Sequence, residues 1–208
     1  MPVDTALPKE GMIYQREQYA KGGPGARYWD YRDKVALDLV TGNDIVDVGC
    51  GEGITLEKLV RLFPDRNIRG IDSEPENIEI CSKYDLPVFP GDVYALPLDD
   101  SSMDCVMLME VIEHLNKPEQ ALVEIRRVLK PGGRVIIVFP NDAMFKLVRI
   151  LTGMIREAFY ESGHVRQWTP KAIRTALASN GFTPCLQKNL PCGLWLLSLH
   201  HVVVAEKQ

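Results

Sequence analysis

The chain has 208 residues, of which 46% are hydrophobic and 25% are charged, and its formal net charge is −4. This length fits one domain, or one domain with a short extension. The mildly acidic balance argues against broad binding to nucleic acid, which depends on many Lys and Arg contacts to phosphates. The five cysteines are odd in number and form no CxxC pair, so they favour neither a disulfide framework nor a thiolate zinc site.

The first residues lack the charged-then-apolar order of a signal peptide, and no run reaches the ~18–20 apolar residues of a membrane span. Together with the cysteine usage, this predicts a cytoplasmic protein, for which peripheral membrane contact is possible but not expected. Residues 1–25 are polar and glycine-rich near their end, which predicts a flexible N-terminal segment. We expect residues 26–208 to form a single domain, and the sequence predicts no particular oligomeric state.

Strand and helix patterns alternate along most of the chain. After a helix that begins near Gly25, strands are predicted at Asp44–Val48, Asn67–Ile71, Pro87–Phe89, Asp104–Met109, Gly133–Phe139, Phe182–Gln187 and His200–Ala205. Helices are predicted at Ile54–Phe63, Pro75–Ser82, Pro118–Leu129, Asp142–Phe159 and Pro170–Ala178. This alternation predicts an α/β fold whose mainly parallel sheet carries helices on both faces. Because no clear helix separates the last two strands, we expect a hairpin in which the last strand is antiparallel.

The strongest chemical signal is the glycine-rich turn in Ile45–Gly53, between the first strand and the next helix. Nucleotides bind at this kind of switch point in open α/β sheets. Gly49 and Gly51 permit a tight turn and a close approach of a ligand to the backbone. Their spacing is GxGxG rather than the GxGxxG of dinucleotide binders, and Asp47 precedes them within the strand.

The segment DVGCGEG resembles the first motif of the class I S-adenosyl-L-methionine (SAM)-dependent methyltransferases. Further segments follow in the order of that family, namely Gly70–Asp72, Gly91–Val93, Asp104–Leu115 and Val128–Arg134. The resemblance covers about residues 44–140. It implies a Rossmann-like sheet of seven strands in the order 3-2-1-4-5-7-6, with SAM as cofactor. A dehydrogenase would also carry an acid after the second strand, but it does not predict the other segments.

The same resemblance assigns roles to individual residues. It implies that Asp72 accepts hydrogen bonds from the ribose hydroxyls, and that Asp92 accepts one from the exocyclic amine of adenine. The predicted cofactor-binding residues are Asp47, Gly49, Cys50, Gly51, Asp72, Ser73, Asp92, Val93, Met109 and Glu110.

Candidates for the transfer step follow the fourth strand, and three interpretations remain open. Glu110 and Glu113 orient the loop and help to hold the cofactor, while His114 packs or caps. Alternatively, His114 or His164 is a general base for a hydroxyl acceptor. Thirdly, all four residues hold a divalent metal, because EVIEH with a later His and Trp-Thr is similar to the metal-ligand pattern of small-RNA 2′-O-methyltransferases and quinone-pathway O-methyltransferases. We take His114, His164 and Glu113 as the candidate catalytic residues and assign no metal.

Two apolar segments are predicted to lie over the site. We expect a helical lid insertion at about 142–165, with one apolar stripe formed by Met144, Leu147, Val148, Leu151, Ile155 and Ala158. Leu194, Trp195 and Leu197 lie between the last two strands and would form the opposite wall of an acceptor pocket. The alternative is ordinary core packing of both segments.

These patterns predict methyl transfer to a small-molecule acceptor of aromatic, quinone or lipid-like character, with an O- or C-nucleophile favoured over nitrogen. An aromatic cluster near the N-terminus comprises Tyr14, Tyr19, Tyr28, Trp29 and Tyr31, and the resemblance implies that this region closes over the cofactor. A different class of function, a non-catalytic SAM-binding regulatory protein, is the alternative.

Overall fold

The computed structural model describes residues 15–151 and 164–208. Its centre is a seven-stranded sheet in the order β3-β2-β1-β4-β5-β7-β6, as predicted. The strands are β1 (Asp44–Val48), β2 (Asn67–Asp72), β3 (Val88–Pro90), β4 (Met103–Met109), β5 (Leu129–Pro140), β6 (Phe182–Leu190) and β7 (His200–Lys207). β1 to β5 pair in parallel, whereas β7 pairs antiparallel with both β5 and β6. The predicted antiparallel last strand is therefore confirmed.

Helices cover both faces of the sheet. They are α1 (Gln15–Ala20), α2 (Pro24–Leu37), α3 (Ile54–Leu62), α4 (Pro75–Lys83), α5 (Pro118–Val128), α6 (Asp142–Leu151) and α7 (Pro170–Ser179). Successive strand residues face opposite sides, so β4 sends Cys105 and Met107 into the core under α2 and α3, and Val106 and Leu108 into the core under α5 and α7. Because both faces are covered, the central strands are apolar almost throughout, as a buried parallel sheet requires.

The parallel pairing places the carboxyl ends of β1, β2, β4 and β5 at one edge of the sheet. The turn after β1 is fixed there by its neighbour, because Ile71 O accepts hydrogen bonds from Gly49 N at 2.7 Å and Cys50 N at 3.2 Å. The loops that follow these strands therefore converge, and all the candidate site residues lie on them or next to them.

Some element boundaries differ from the sequence prediction. β5 begins at Leu129 rather than Gly133, because Leu129 already pairs with Met103 before the register shifts. α1 lies inside the segment predicted to be flexible; residues 1–14 lie outside the described part of the chain. In the predicted lid, α6 is described to Leu151, and residues 152–163 lie outside the description. None of the described helices is both long and apolar enough to cross a membrane.

Candidate active site

A cavity of about 290 Å³ lies against the glycine-rich turn. Gly49 and Gly51 both adopt positive φ, at 69° and 56°, which is the region that glycine reaches without strain. A Cβ added at Gly51 would meet no atom within 4 Å. The backbone is therefore open to a ligand at this position. Besides Gly51, six of the predicted cofactor-binding residues line this cavity, namely Asp47, Gly49, Cys50, Asp72, Met109 and Glu110.

Asp47 is buried near the end of β1. Neither carboxylate oxygen has a hydrogen-bond partner among the described residues. Burial, followed by the nearby charges of Asp33 and Asp72, raises the pKa of Asp47 to about 8. A buried carboxylate without a partner costs folding free energy, so this residue fits a cationic group brought in by a ligand.

Asp72 ties the glycine-rich turn to α4. Its carboxylate accepts hydrogen bonds from Gly51 N at 2.7 Å, from Glu74 N at 2.9 Å and from the Asn77 side chain at 3.0 Å. A carboxylate has about four acceptor positions, so one position is left for a ligand hydroxyl. Asp72 therefore positions the loop and also faces the cavity, where the resemblance places the ribose.

A second cavity, of about 510 Å³, adjoins the first along Gly49 and Asp72. Ser73, Asp92 and Val93 line it, as the remaining predicted cofactor-binding residues. Asp92 also stabilises its own turn, because one carboxylate oxygen accepts a hydrogen bond from Tyr94 N at 2.9 Å. The two cavities form a cleft along the ends of β1, β2 and β4, which we call the cofactor-side cleft.

Glu110 lies directly after β4 with a φ of 57°, a conformation that non-glycine residues rarely adopt. Its carboxylate is bound by Arg32 and by His200 Nε2, the latter at 2.8 Å, and the Tyr28 hydroxyl lies 2.8 Å from His200 Nδ1. Burial would raise its pKa, but the charges of Arg32 and His200 hold the pKa of Glu110 well below its usual range. The ionised Glu110 thus joins α2 to β7 beneath the site.

A third cavity, of about 480 Å³, lies on the other side of Glu110. It shares Gln15, Trp29 and Glu110 with the cofactor-side cleft, so these residues form the wall between the two spaces. Pro140, Ala143 and Phe145 give it apolar surface, and the polar residues Asp142, Lys146, Arg149, His164 and Gln167 complete the lining. We call it the acceptor-side cavity.

His164 reaches this cavity although it is 50 residues from His114 in sequence. The backbone carbonyl of Glu113 accepts hydrogen bonds from Val165 N at 2.9 Å and Arg166 N at 3.1 Å, and Trp168 Nε1 donates to Ile112 O at 3.1 Å. These contacts bring the His164 ring to a centroid distance of 4.8 Å from the His114 ring. His164 Nδ1 also lies 2.8 Å from a carboxylate oxygen of Asp142, at the start of α6.

The three candidate catalytic residues, Glu113, His114 and His164, lie together, and one ligand atom from each fits within a 4.8 Å span. The Glu113 carboxylate is buried, and neither oxygen has a hydrogen-bond partner in the described ranges 15–151 and 164–208. Burial, then the charges of Glu110 and Asp142, raise the pKa of Glu113 well above its usual value. Glu110, the fourth ligand in the metal interpretation, is instead bound to Arg32 and His200. A short 3-10 helix covers only Ile112–His114, so Glu110 lies outside it and its side chain does not join the other three.

The predicted apolar walls are placed differently. Phe145, Lys146 and Arg149 of α6 line the acceptor-side cavity, whereas Leu147 and Leu151 of the apolar stripe are exposed. Ile155 and Ala158 lie outside the described residues. The prediction that Leu194 and Leu197 form the opposite wall is wrong, because these residues are 68% and 57% exposed and do not line the cavity. Trp195 packs against the rings of Phe139 and His201 instead.

Several site residues were not found from the sequence. Gln15, Arg32, Asp142 and His200 act through partners that are distant in sequence, and no local pattern marks them. Trp29 belongs to the predicted aromatic cluster, and the ring of Tyr19 stacks on it with the ring centroids 6.3 Å apart. Tyr28, another member of the cluster, stacks on the His200 ring with a centroid distance of 5.5 Å. Tyr14 lies outside the described residues.

Comparison with known proteins gives a family match over residues 46–137 to a methyltransferase domain. The chain is 28% identical to a probable S-adenosylmethionine-dependent methyltransferase of Mycolicibacterium smegmatis, over 86% of this chain and 68% of that protein. It is 30% identical to a ubiquinone biosynthesis O-methyltransferase of Roseobacter denitrificans, over 67% of this chain and 55% of that protein. Among three curated relatives, the aligned region spans 32% to 68% of the relative's own length.

The fold is also that of a solved SAM-dependent methyltransferase of Thermotoga maritima, described as a possible histamine N-methyltransferase. The TM-score is 0.72 at 21% identity, over 93% of this chain and 96% of that one. The family match shows a methyltransferase domain at residues 46–137, and the curated relatives and the predicted strand order agree with the resemblance to the class I SAM-dependent methyltransferases, whose cofactor is SAM.

Proposed function

We propose that the protein transfers the methyl group of SAM to a hydroxyl group of a small-molecule acceptor of aromatic, quinone or lipid-like character. The observation that carries this proposal is the Asp142–His164 pair in the acceptor-side cavity, which shares a wall with the cofactor-side cleft. The relative from Roseobacter denitrificans, named as an O-methyltransferase of ubiquinone biosynthesis, supports an oxygen acceptor of this class.

The residues of the cofactor-side cleft fit SAM, which supplies a methyl group activated on a sulfonium. Asp47 offers a buried carboxylate without a partner among the described residues, which matches the ammonium group of the amino-acid part. The open backbone at Gly51 allows close approach, and Asp72 keeps one acceptor position for a ribose hydroxyl. Ser73, Asp92 and Val93 line the adjoining space for the adenine. We therefore propose that the predicted cofactor-binding residues hold SAM.

The acceptor-side cavity has a size and lining suited to an aromatic ring. Its volume of about 480 Å³ lies within the range of ligand pockets, and Trp29, Pro140 and Phe145 provide apolar surface. Because Gln15, Trp29 and Glu110 line both spaces, a ring held here would lie next to the cofactor. In methyl transfer this placement is the main contribution of the protein, since the reaction is an in-line displacement between two aligned groups.

His164 supplies the proton acceptor in this proposal. A carboxylate oxygen accepts hydrogen bonds, so the contact with Asp142 favours the His164 tautomer that carries its proton on Nδ1 and leaves the electron pair of Nε2 free. Nε2 can then take the proton of the acceptor hydroxyl as the methyl group is transferred. Asp142 acts as a positioning residue, because it fixes the ring and the tautomer.

A panel of matched acceptors tests this function, for example catechol, a methoxyquinol and their amine counterparts. We expect methylation of the hydroxyl compounds, and we expect kcat to fall about 100-fold or more in His164→Asn, the usual scale for loss of a general base. Asp142→Asn should lower kcat less, and binding of S-adenosylhomocysteine (SAH) should be unchanged in both variants. Methylation of amines alone, or full activity in His164→Asn, would contradict the proposal. Tight binding of SAH without turnover of any acceptor would favour the non-catalytic regulatory alternative.

A second candidate is metal-assisted O-methylation, which the Glu113, His114 and His164 cluster favours. Carboxylate and imidazole ligands suit Mg²⁺ or Mn²⁺ better than a thiolate metal, and the Glu113 carboxylate, unpartnered within the described ranges, gains a counter-charge in this arrangement. Titration of the chelator-treated protein with Mn²⁺ or Mg²⁺ alone, beside Glu113→Gln, distinguishes the candidates. Binding that disappears in Glu113→Gln, with activity lost on chelation, supports the metal; full activity after chelation excludes it.

A further inference from the structure

Helix α1 forms part of the outer wall of the site, although it is only six residues long and buries none of them. A helix of this length is unstable by itself in water. Its position therefore depends on the contacts that it makes with the rest of the protein. The contacts with the loop that carries the glycine-rich motif are polar, while Tyr19, near the other end of α1, stacks on Trp29 of α2 and donates a hydrogen bond to Asp30.

Glu52, inside the motif, holds the start of α1. Its two carboxylate oxygens accept hydrogen bonds from Gln15 N at 2.7 Å and Arg16 N at 2.8 Å. The Arg16 side chain returns to the same loop, donating to Glu52 O at 2.5 Å and to Gly53 O at 3.1 Å. The helix and the loop are thus joined by reciprocal hydrogen bonds.

Arg16 also fastens α1 to the helices behind the loop. Its guanidinium donates to Glu57 of α3 at 2.8 Å and lies 3.8 Å from the centre of the Tyr84 ring, directly after α4. Only 14% of the Arg16 side chain is exposed, so these contacts are partly shielded from solvent. Charged hydrogen bonds in such positions are stronger than exposed ones.

These contacts matter for the site because α1 and the loop both line it. Gln15 and Glu52 line the cofactor-side cleft, and Gln15 also lines the acceptor-side cavity. If α1 moved away from the loop, the wall at Gln15 would be removed and the cleft would open to solvent. A segment with no buried side chain is also the kind that opens at low free-energy cost.

We propose that Glu52 and Arg16, together the α1 latch, hold α1 over the cofactor and set the rate at which the spent cofactor leaves. This inference rests on the proposed function, because it assumes that SAM is consumed in the cleft. Glu52 and Arg16 are positioning residues in this scheme. They retain the cofactor by holding Gln15 and the loop together.

The test measures SAH release from the full chain by stopped-flow displacement, in Glu52→Gln and Arg16→Met. We expect release to become about tenfold faster and the Kd for SAH to rise in proportion, since each change removes a charge-assisted contact. Arg61→Met is the matched control, because Arg61 pairs with the same Glu57 but has 77% of its side chain exposed and does not reach the loop. Its release rate should equal that of the unmodified protein.

Hydrogen exchange of the amides in residues 15–20 gives a readout that does not depend on catalysis. SAH should slow their exchange in the unmodified protein and in Arg61→Met, but not in Glu52→Gln or Arg16→Met. Arg16→Lys keeps the positive charge, so it should show part of the protection that Arg16→Met loses. Unchanged SAH release and unchanged exchange in the latch variants would overturn the proposal. A fall in Tm large enough to account for the loss of SAH affinity would also overturn the proposal, because it would indicate a purely structural role.

The outcomes separate this proposal from the proposed function. If SAH binds equally well to the unmodified protein and to the latch variants, the latch proposal fails and the proposed methyltransferase activity is unaffected. If SAH binding depends on the latch but no acceptor is methylated, the proposed function fails and the role of the latch in SAH binding stands. A chain that binds no SAH contradicts both.

Discussion

The cofactor-side cleft and the acceptor-side cavity share one wall but are built in different ways. The cleft is formed at strand ends by consecutive residues of short motifs, and much of its surface is backbone, as at Gly49 and Gly51. The acceptor-side cavity is formed by side chains from distant parts of the chain, such as Trp29 of α2, Phe145 of α6 and His164. Recognition by backbone leaves a contiguous sequence pattern, whereas recognition by assembled side chains does not.

The shared wall shows how the two regions are connected. Glu110 lies at its centre and is joined through Arg32 to Asp33, which in turn binds Lys58 of α3 at 2.7 Å. On the other side Glu110 binds His200 of β7. A chain of ion pairs and hydrogen bonds therefore runs from the helix that follows the glycine-rich turn to the strand that closes the sheet. We infer that the geometry of the two spaces depends on this chain.

The largest effect is expected from placing a side chain where the cleft exposes backbone. Gly51→Ala should weaken SAH binding by about 100-fold, because the new Cβ would occupy the space through which a ligand approaches the backbone. Gly132→Ala is the matched control, since Gly132 has a similar φ of 74°, equally open surroundings and no part in either cavity. Both variants should lose about 1–2 kcal/mol of stability from the left-handed conformation. Equal SAH affinity in both would show that the cleft does not use this backbone.

The next effect concerns the shared wall. Glu110→Gln should lower the free energy of unfolding by about 2 kcal/mol, because it leaves the buried Arg32 guanidinium with one acidic partner fewer. The loss should stay below the roughly 3–5 kcal/mol of a fully buried pair, since 37% of the Glu110 side chain is exposed. Chemical denaturation measures it. Glu206→Gln, in a pair whose two side chains are both more than a third exposed, should lose less than about 1 kcal/mol. Equal losses would contradict the role given to the wall.

The contrast between the two regions also explains what could be predicted from the sequence. Strand order, the antiparallel last strand and a cofactor cleft at the glycine-rich turn follow from local patterns and a family resemblance. All ten predicted cofactor-binding residues lie along the cleft. Arg32 and His200 could not be predicted as partners of Glu110, because they are 78 and 90 residues away and a single charged or imidazole side chain carries no periodic signal.

The failures have physical causes. An apolar run does not say which of its faces is covered, so the leucines between β6 and β7 were expected to line the pocket although Leu194 and Leu197 are exposed. In α6, tertiary packing turned the face that carries Phe145, Lys146 and Arg149 toward the cavity rather than the apolar stripe. α1 gave no signal because it buries no residue. His164 was predicted as a candidate, but its partner Asp142 was not.

A pH series sharpens the assignment of Asp47 in the cleft. Its pKa is raised to about 8, so between about pH 4 and pH 8 the folded protein holds a proton that the unfolded chain has lost. Stability from this group is therefore present at low pH and is lost as the pH rises through that window, by at most about 1.4 kcal/mol per pH unit. Relative to Asp47→Asn, the unmodified ligand-free protein should lose about 2 kcal/mol between about pH 5 and pH 7, as measured by denaturation.

Binding of the cofactor should lower the pKa of Asp47 again, because an ammonium group favours the ionised carboxylate. Calorimetry of SAH binding near pH 7 in buffers of different ionisation enthalpy should therefore show release of nearly one proton, and Asp47→Asn should release none. If proton release is the same in both proteins, Asp47 does not meet the cationic group of the cofactor.

The smallest effect tests which face of α6 meets the acceptor. Phe145 lines the acceptor-side cavity, whereas Leu147, two residues later, points away and is 46% exposed. Phe145→Ala should raise the KM for an aromatic acceptor about tenfold, since it removes apolar contact worth roughly 1–2 kcal/mol, and should leave the KM for SAM unchanged. Leu147→Ala should change neither constant, although its stripe is the more apolar face of the helix. If Leu147→Ala raises the KM for the acceptor and Phe145→Ala does not, the acceptor binds on the face that the sequence pattern indicated, and the acceptor-side cavity is not where it binds.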